Sequence, residues 1–141
     1  MELRIATAAD ASPQEVWSLF TDVERWPTMT KSIQEVRRLD SGTLRVGSEA
    51  LVKQPRLPRV RWRVTDLVPG QYFVWETTSP GLITTGGHIV EPDGNGAKIT
   101  LTLNLRGPLA WLVEGLLGRQ SRRYLSMESE GFRRTAEASH S

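Results

Sequence analysis

From residue 33 onward the apolar residues of this 141-residue chain change their period once, at Gly107-Pro108. Upstream they recur at every second position, the spacing that places them on one face of a β-strand. In residues 97–105, Ile99, Leu101, Leu103 and Leu105 alternate with Lys98, Thr100, Thr102 and Asn104, which predicts a half-buried strand with a wet outer face. In residues 59–67, Val60, Trp62 and Val64 oppose Arg59, Arg61 and Arg63, and in residues 71–77, Phe73 and Trp75 share a face. Asp40-Ser41-Gly42, Pro69-Gly70, Ser79-Pro80-Gly81 and Asp93-Gly94-Asn95-Gly96 are turn sequences, so residues 33–106 read as an antiparallel sheet. Downstream the period becomes that of a helix. Leu109, Leu112, Val113, Leu116 and Leu117 match its template, and Tyr124, Leu125, Phe132 and Ala136 continue the stripe. A helix to about Glu137 would be roughly 40–45 Å long, enough to cross the whole domain, with residues 138–141 frayed into a disordered tail.

The N-terminal part supplies the remaining elements. Residues 2–8 suit a first strand with Leu3, Ile5 and Thr7 on one face. Ser12-Pro13-Gln14-Glu15 is a capping box with proline at the first helical position, opening a short helix whose Val16, Leu19 and Phe20 share a side. Thr21 and Asp22 would cap a second turn, and Trp26-Pro27 would stop it, because a residue before proline is pushed out of the helical region. Trp17 and Trp26-Pro27 read as packing residues for these small helices.

Composition excludes several classes of function. Hydrophobic residues at 38% and charged residues at 24% are ordinary for a soluble globular domain, and the length suits a single one spanning residues 1–141. No run of ~18 apolar residues is present, so stable membrane insertion is not expected. The N-terminus lacks the apolar stretch of a secretory signal, and the expected location is cytoplasmic. With no cysteine, thiolate chemistry and Cys-based metal sites are excluded. The net charge is only +2, and the arginines are dispersed, so nucleic acid is not an expected partner. Neither a nucleophile elbow, nor a phosphate loop, nor a metal-spaced set of His, Asp and Glu occurs, and no cofactor is expected.

The order of elements and several motifs resemble the helix-grip fold of the START-like (SRPBCC) superfamily, which includes the bacterial polyketide cyclase/dehydrase and lipid-transport family. The resembling segments are Ser12-Pro13-Gln14-Glu15-Val16-Trp17, Asp22-Val23-Glu24-Arg25-Trp26-Pro27 and Gly47. Also similar are Gly87-His88-Ile89-Val90-Glu91-Pro92 with Gly96 and Thr100, Gly107-Pro108-Leu109-Ala110, and residues 128–134. The resemblance covers nearly the whole chain. It implies an α+β fold: a curved antiparallel sheet of about six to seven strands, two short helices, and one long C-terminal helix. Superfamily members bind sterols, lipids, polyketides and plant hormones, act as enzymes, or assist other proteins, so the fold alone does not select a function.

In such a fold the concave sheet face and the inner side of the long helix line a cavity for an apolar small molecule. The inward candidates are Val60, Trp62, Phe73, Trp75, Ile99, Leu101 and Leu103 on strands, with Leu116, Leu117 and Tyr124 on the helix. Gly115 and Gly118 fit a helix that bends around the sheet, one that leaves space beside it, or close packing without a cavity. His88, the one histidine outside the tail, is the default acid/base or hydrogen-bonding candidate. Glu128 sits in the apolar stripe between Tyr124 and Phe132, where a carboxylate is expensive unless a sheet arginine pairs with it. Gln120 offers an amide one turn before Tyr124. Trp111 reads either as core or as an exposed lip at the cavity mouth.

Three functions follow from these candidates. The first is a carrier or sensor of a hydrophobic, lipid- or polyketide-like molecule. The second is a cyclase or dehydratase using His88 and Glu128 as acid and base. The third is a protein-assisting module. Unpaired, buried His88 and Glu128 facing one cavity would favour the enzyme, and a dry, wholly apolar pocket the carrier. An exposed apolar patch around Trp111, Leu112 and Leu116 without a pocket would favour the protein-assisting role. An exposed strand edge would support a homodimer.

Overall fold

Tight turns join strands that follow one another in sequence, so most of the sheet forms by simple meandering. The computed structural model describes residues 1–140, and Ser141 lies outside the described residues. Its strands are β1 (Glu2–Ala9), β2 (Glu35–Arg38), β3 (Glu49–Lys53), β4 (Val60–Val68), β5 (Tyr72–Ser79), β6 (Leu82–Asp93) and β7 (Gly96–Arg106). They form one seven-stranded sheet in the order β1-β7-β6-β5-β4-β3-β2, with every neighbouring pair antiparallel. Helices α1 (Pro13–Thr21) and α2 (Trp26–Met29), with a 3₁₀ turn (Val23–Arg25) between them, connect β1 to β2, and α3 (Ala110–His140) closes the chain. This is the α+β helix-grip architecture that the resemblance implies.

Local chemistry starts the first helix. Ser12 accepts from the Glu15 backbone N–H at 3.1 Å, while Glu15 Oε1 accepts from the Ser12 N–H at 2.9 Å, so the predicted capping box closes in both directions. The expected stop at Trp26-Pro27 is corrected: Trp26 has helical φ −53° and ψ −37°, and Pro27 lies in the first turn of α2. Burial overrides the pre-proline bias. The Trp26 ring is 1% exposed and its Nε1–H donates to the Leu19 carbonyl at 3.1 Å, which holds the backbone in place.

The core lies between the sheet and the C-terminal half of α3. Leu125, Ser129, Phe132 and Ala136 are buried at helical spacing, against β1 and the small helices. Phe132 meets Phe20 edge-to-face at a centroid distance of 5.0 Å, and Ser129 Oγ is 2.7 Å from Thr7 Oγ1. Gly131 makes this approach feasible, because a Cβ there would collide with the Met29 carbonyl of α2. Gly131→Ala is therefore expected to cost roughly 1–3 kcal/mol, read as a lower urea midpoint at unchanged slope. An unchanged midpoint would mean that α2 and α3 are not this close.

The other half of α3 behaves differently. None of its residues before Leu125 is fully buried, and Leu112 and Leu116 are 40% and 73% exposed. The helix is tied at its N-terminus, where the Leu109 N–H donates to the Gly81 carbonyl at 2.9 Å, and at its C-terminal half by the core. Gly107, at φ 113°, makes the turn into it, and a Cβ there would clash with Gly81 backbone. Between these anchors the helix stands off the sheet. Its far end also departs from expectation: α3 continues beyond Glu137 to His140, whose Nδ1 lies 2.7 Å from Glu15 Oε1 of the capping box. On β7 the outer face is drier than predicted, since Thr100 is only 3% exposed, its short side chain lying between its ladder partners Ala6 and Ile89.

Candidate functional site

Where α3 stands off, a cavity of about 100 Å³ opens between helix and sheet. Trp62, Trp75, Leu101 and Leu103 wall it from the strands, and Leu117, Gln120, Ser121, Tyr124, Leu125 and Glu128 from α3. It adjoins a wider groove of about 460 Å³, which includes Val60, Arg61, Thr77, Thr84 and Val113. Val52, Gln54, Leu57, Trp62, Leu103 and Ser121 line both spaces and form the neck between them.

His88 lies at the closed end, where β6 places it opposite Phe73 and Leu101 in the ladder. Its ring stacks on Phe73 at 4.3 Å and 11°, with Phe20, Trp26 and Trp75 around it. Nδ1 is buried without a hydrogen-bond partner. Burial brings the imidazole pKa down to about 3, partly opposed by a hydrogen bond to the Phe73 backbone, so the ring is neutral at physiological pH.

Glu128 projects from the same face of α3 as Leu125 and Phe132, and therefore towards the sheet. The expected ion pair with a sheet arginine is absent: among the described residues, no cation or hydrogen-bond donor meets its carboxyl. Arg59 and Arg61 instead pair with Glu35 of β2 and Glu49 of β3, at 3.2 and 4.0 Å. Desolvation pushes the Glu128 pKa up to about 8, so it is mostly a neutral acid at pH 7, holding one O–H donor.

Gln120 and Tyr124 line the cavity as expected, but their polar atoms are partly engaged. Gln120 Nε2 donates to Tyr124 Oη at 3.1 Å, and that hydroxyl donates to the Pro55 carbonyl at 3.3 Å. The pair latches α3 to the loop after β3, where Arg56 adopts φ 65°, a left-handed conformation that is uncommon for a non-glycine residue.

Of the remaining candidates, Trp62, Trp75, Leu101, Leu103 and Leu117 line the cavity, and Val60 lines the groove. Phe73 and Ile99 do not. Both are completely buried behind the cavity wall, because alternation assigns a face and not a depth. Leu116 is also corrected: it points away from the sheet into solvent, as does Trp111, which is 71% exposed. Trp26, assigned above only to packing, forms part of the cavity wall, as do Ile33, Val52, Gln54, Leu57 and the glycines Gly86 and Gly87. Gly86 inside a strand was the available signal, since its missing side chain leaves room beside Trp62 and Trp75, whereas Gly87 faces Thr102 on the other side of the sheet.

A family model described as polyketide cyclase / dehydrase and lipid transport matches residues 2–137. No curated protein matches the chain significantly. Among solved structures, TTHA0849 from Thermus thermophilus is 17% identical, with a TM-score of 0.79 and complete coverage of both chains. The hypothetical protein jhp0584 from Helicobacter pylori is 12% identical with a TM-score of 0.79, covering 96% of this chain and 86% of that one. The di-domain ARO/CYC BexL from the BE-7585A biosynthetic pathway is 21% identical with a TM-score of 0.70, covering 93% of this chain and 46% of that protein. At these identities the likeness is one of fold.

Proposed function

Since the chain belongs to the polyketide cyclase / dehydrase and lipid transport family, we propose that it binds an apolar small molecule bearing a carbonyl or hydroxyl group, held between the sheet and α3. The observation that carries this reading is the unpaired Glu128 carboxyl in an otherwise largely apolar, aromatic-walled cavity. A half-buried carboxyl without a protein partner is costly to ionise, and a ligand oxygen accepting from its neutral form would replace the missing contact. The inner cavity, about 100 Å³, is a third smaller than the ~150 Å³ that admits benzene in an engineered core. It suits a short apolar end, with the rest of the molecule lying along the groove. Trp62 and Trp75, with ring centroids 5.5 Å apart, supply flat surfaces for a ring.

One observation favours a second reading, a cyclase or dehydratase. His88 and Glu128 are both without side-chain partners, apart from the imidazole's link to the Phe73 backbone, and both line one cavity. Proton affinity weighs against it. Glu128 is suited to act as an acid near neutral pH, but an imidazole with a pKa of about 3 is too weak a base to complete the pair.

Native mass spectrometry after gentle purification, with extraction of any adduct, tests the binding reading. A stoichiometric apolar adduct is expected from the unmodified protein and not from Gly86→Leu, whose side chain would fill the space beside Trp62 and Trp75. A folded Gly86→Leu protein that keeps the adduct would place the ligand elsewhere. No adduct from the unmodified protein would shift the balance to the second reading.

A further inference from the structure

The stretch of α3 that frames the cavity carries a second, outward face with no partner in the fold. Trp111 and Leu116 are 71% and 73% exposed, and Leu112 is 40% exposed. At about 100° per residue, these three fall in one sector of about 140° together with Arg119, Arg122 and Arg123. All three arginines are exposed, and none meets an acidic side chain among the described residues. The only acid in residues 110–123, Glu114, lies outside the sector. The opposite side of the same turns, with Val113 and Leu117, forms the groove and cavity wall.

We propose that this face docks the protein on an anionic phospholipid surface, laying the helix that walls the cavity along the membrane boundary. A tryptophan and two leucines beside three unpaired arginines are the composition of an interfacial amphipathic helix: the apolar side chains enter the headgroup boundary and the guanidinium groups meet lipid phosphates. The charge argues against a second copy of the chain as the occupant, because symmetric pairing would oppose two sets of unpaired arginines. Docking of this kind is peripheral, and no described helix is long and apolar enough to cross a membrane.

Co-sedimentation with vesicles of phosphatidylcholine, with and without phosphatidylglycerol, tests the proposal. The protein is expected to sediment with the anionic vesicles and to be released by high salt. Trp111→Ser/Leu116→Ser and Arg119→Glu/Arg122→Glu should each weaken binding by roughly tenfold or more. All four positions are exposed, so both variants should keep the thermal midpoint of the unmodified protein. Gly86→Leu, which blocks the cavity, should sediment like the unmodified protein, and its loss of binding would mean that lipid is captured in the cavity, overturning the docking face. Failure to bind anionic vesicles, or equal binding by the surface variants, would also overturn it. So would a dimer that the Trp111→Ser/Leu116→Ser change dissociates, which would assign the face to a second copy.

Discussion

Leu101→Asp is expected to abolish cooperative unfolding, while Lys98→Asp, three residues earlier on β7, leaves the thermal midpoint nearly unchanged. Leu101 is 1% exposed and pairs with Ile5 on one side and His88 on the other. Removing its side chain costs about 2–5 kcal/mol. An unpaired carboxylate in the same space adds several more, against a total stability that is typically about 5–15 kcal/mol. Lys98 lies on the exposed outer face, where no such penalty applies. Leu103, on the inner face with Leu101, lies at the neck between the cavity and the groove. It is half-buried and lines both cavity and groove, so an aspartate there keeps contact with water. The expected order of damage is Leu101→Asp, then Leu103→Asp, then Lys98→Asp, followed by near-ultraviolet circular dichroism through a urea titration. Equal loss in the two leucine variants would indicate a closed core at Leu103 and no groove.

That contrast also marks how far the sequence is legible. Period-two alternation assigned the inward faces of β4, β5 and β7 correctly, because a half-buried strand leaves a polar residue at every second position. It could not separate Phe73 and Ile99, sealed in the core, from Trp62 and Leu103, which border space. Depth depends on what lies across from a residue, and that is set by the standoff of α3. The helix posed the same difficulty. Its apolar stripe was clear, but periodicity does not say whether an apolar face has a partner, and Leu116 has none. The expected partner of Glu128 fails for a different reason: Arg59 and Arg61 alternate with the inward Val60 and Trp62, so they sit on the outer face of the sheet and pair there with Glu35 and Glu49. Local rules succeeded where local chemistry dominates, as at the Ser12 capping box, and failed at Trp26-Pro27, where burial of one large ring outweighs a backbone preference.

Buried His88 and half-buried Glu128 should shape stability against pH in opposite directions, and Glu128→Gln should remove one arm of the curve. Glu128 holds its proton to about pH 8 in the folded chain, against an ordinary value of 4.5. Above pH 4.5 the unfolded chain releases that proton while the folded one retains it, so folding is progressively disfavoured until about pH 8, where the loss levels off. His88 is held neutral down to about pH 3, against an ordinary value of 6.5. Below pH 6.5 the unfolded chain gains a proton that the folded one refuses, so stability falls as the pH drops towards 3. Between 4.5 and 6.5 the two slopes oppose each other, which predicts a plateau there and a decline on either side. Taken at full strength the Glu128 arm is worth on the order of 4–5 kcal/mol. Partial contact of its carboxyl with the cavity's solvent reduces this figure. Urea midpoints of Glu128→Gln between pH 6.5 and 8 should be flat, and the acid-side decline should begin already below pH 6.5, since nothing then offsets His88. A decline above pH 6.5 as steep as in the unmodified protein would show that Glu128 ionises normally and is not the neutral donor on which the binding reading depends.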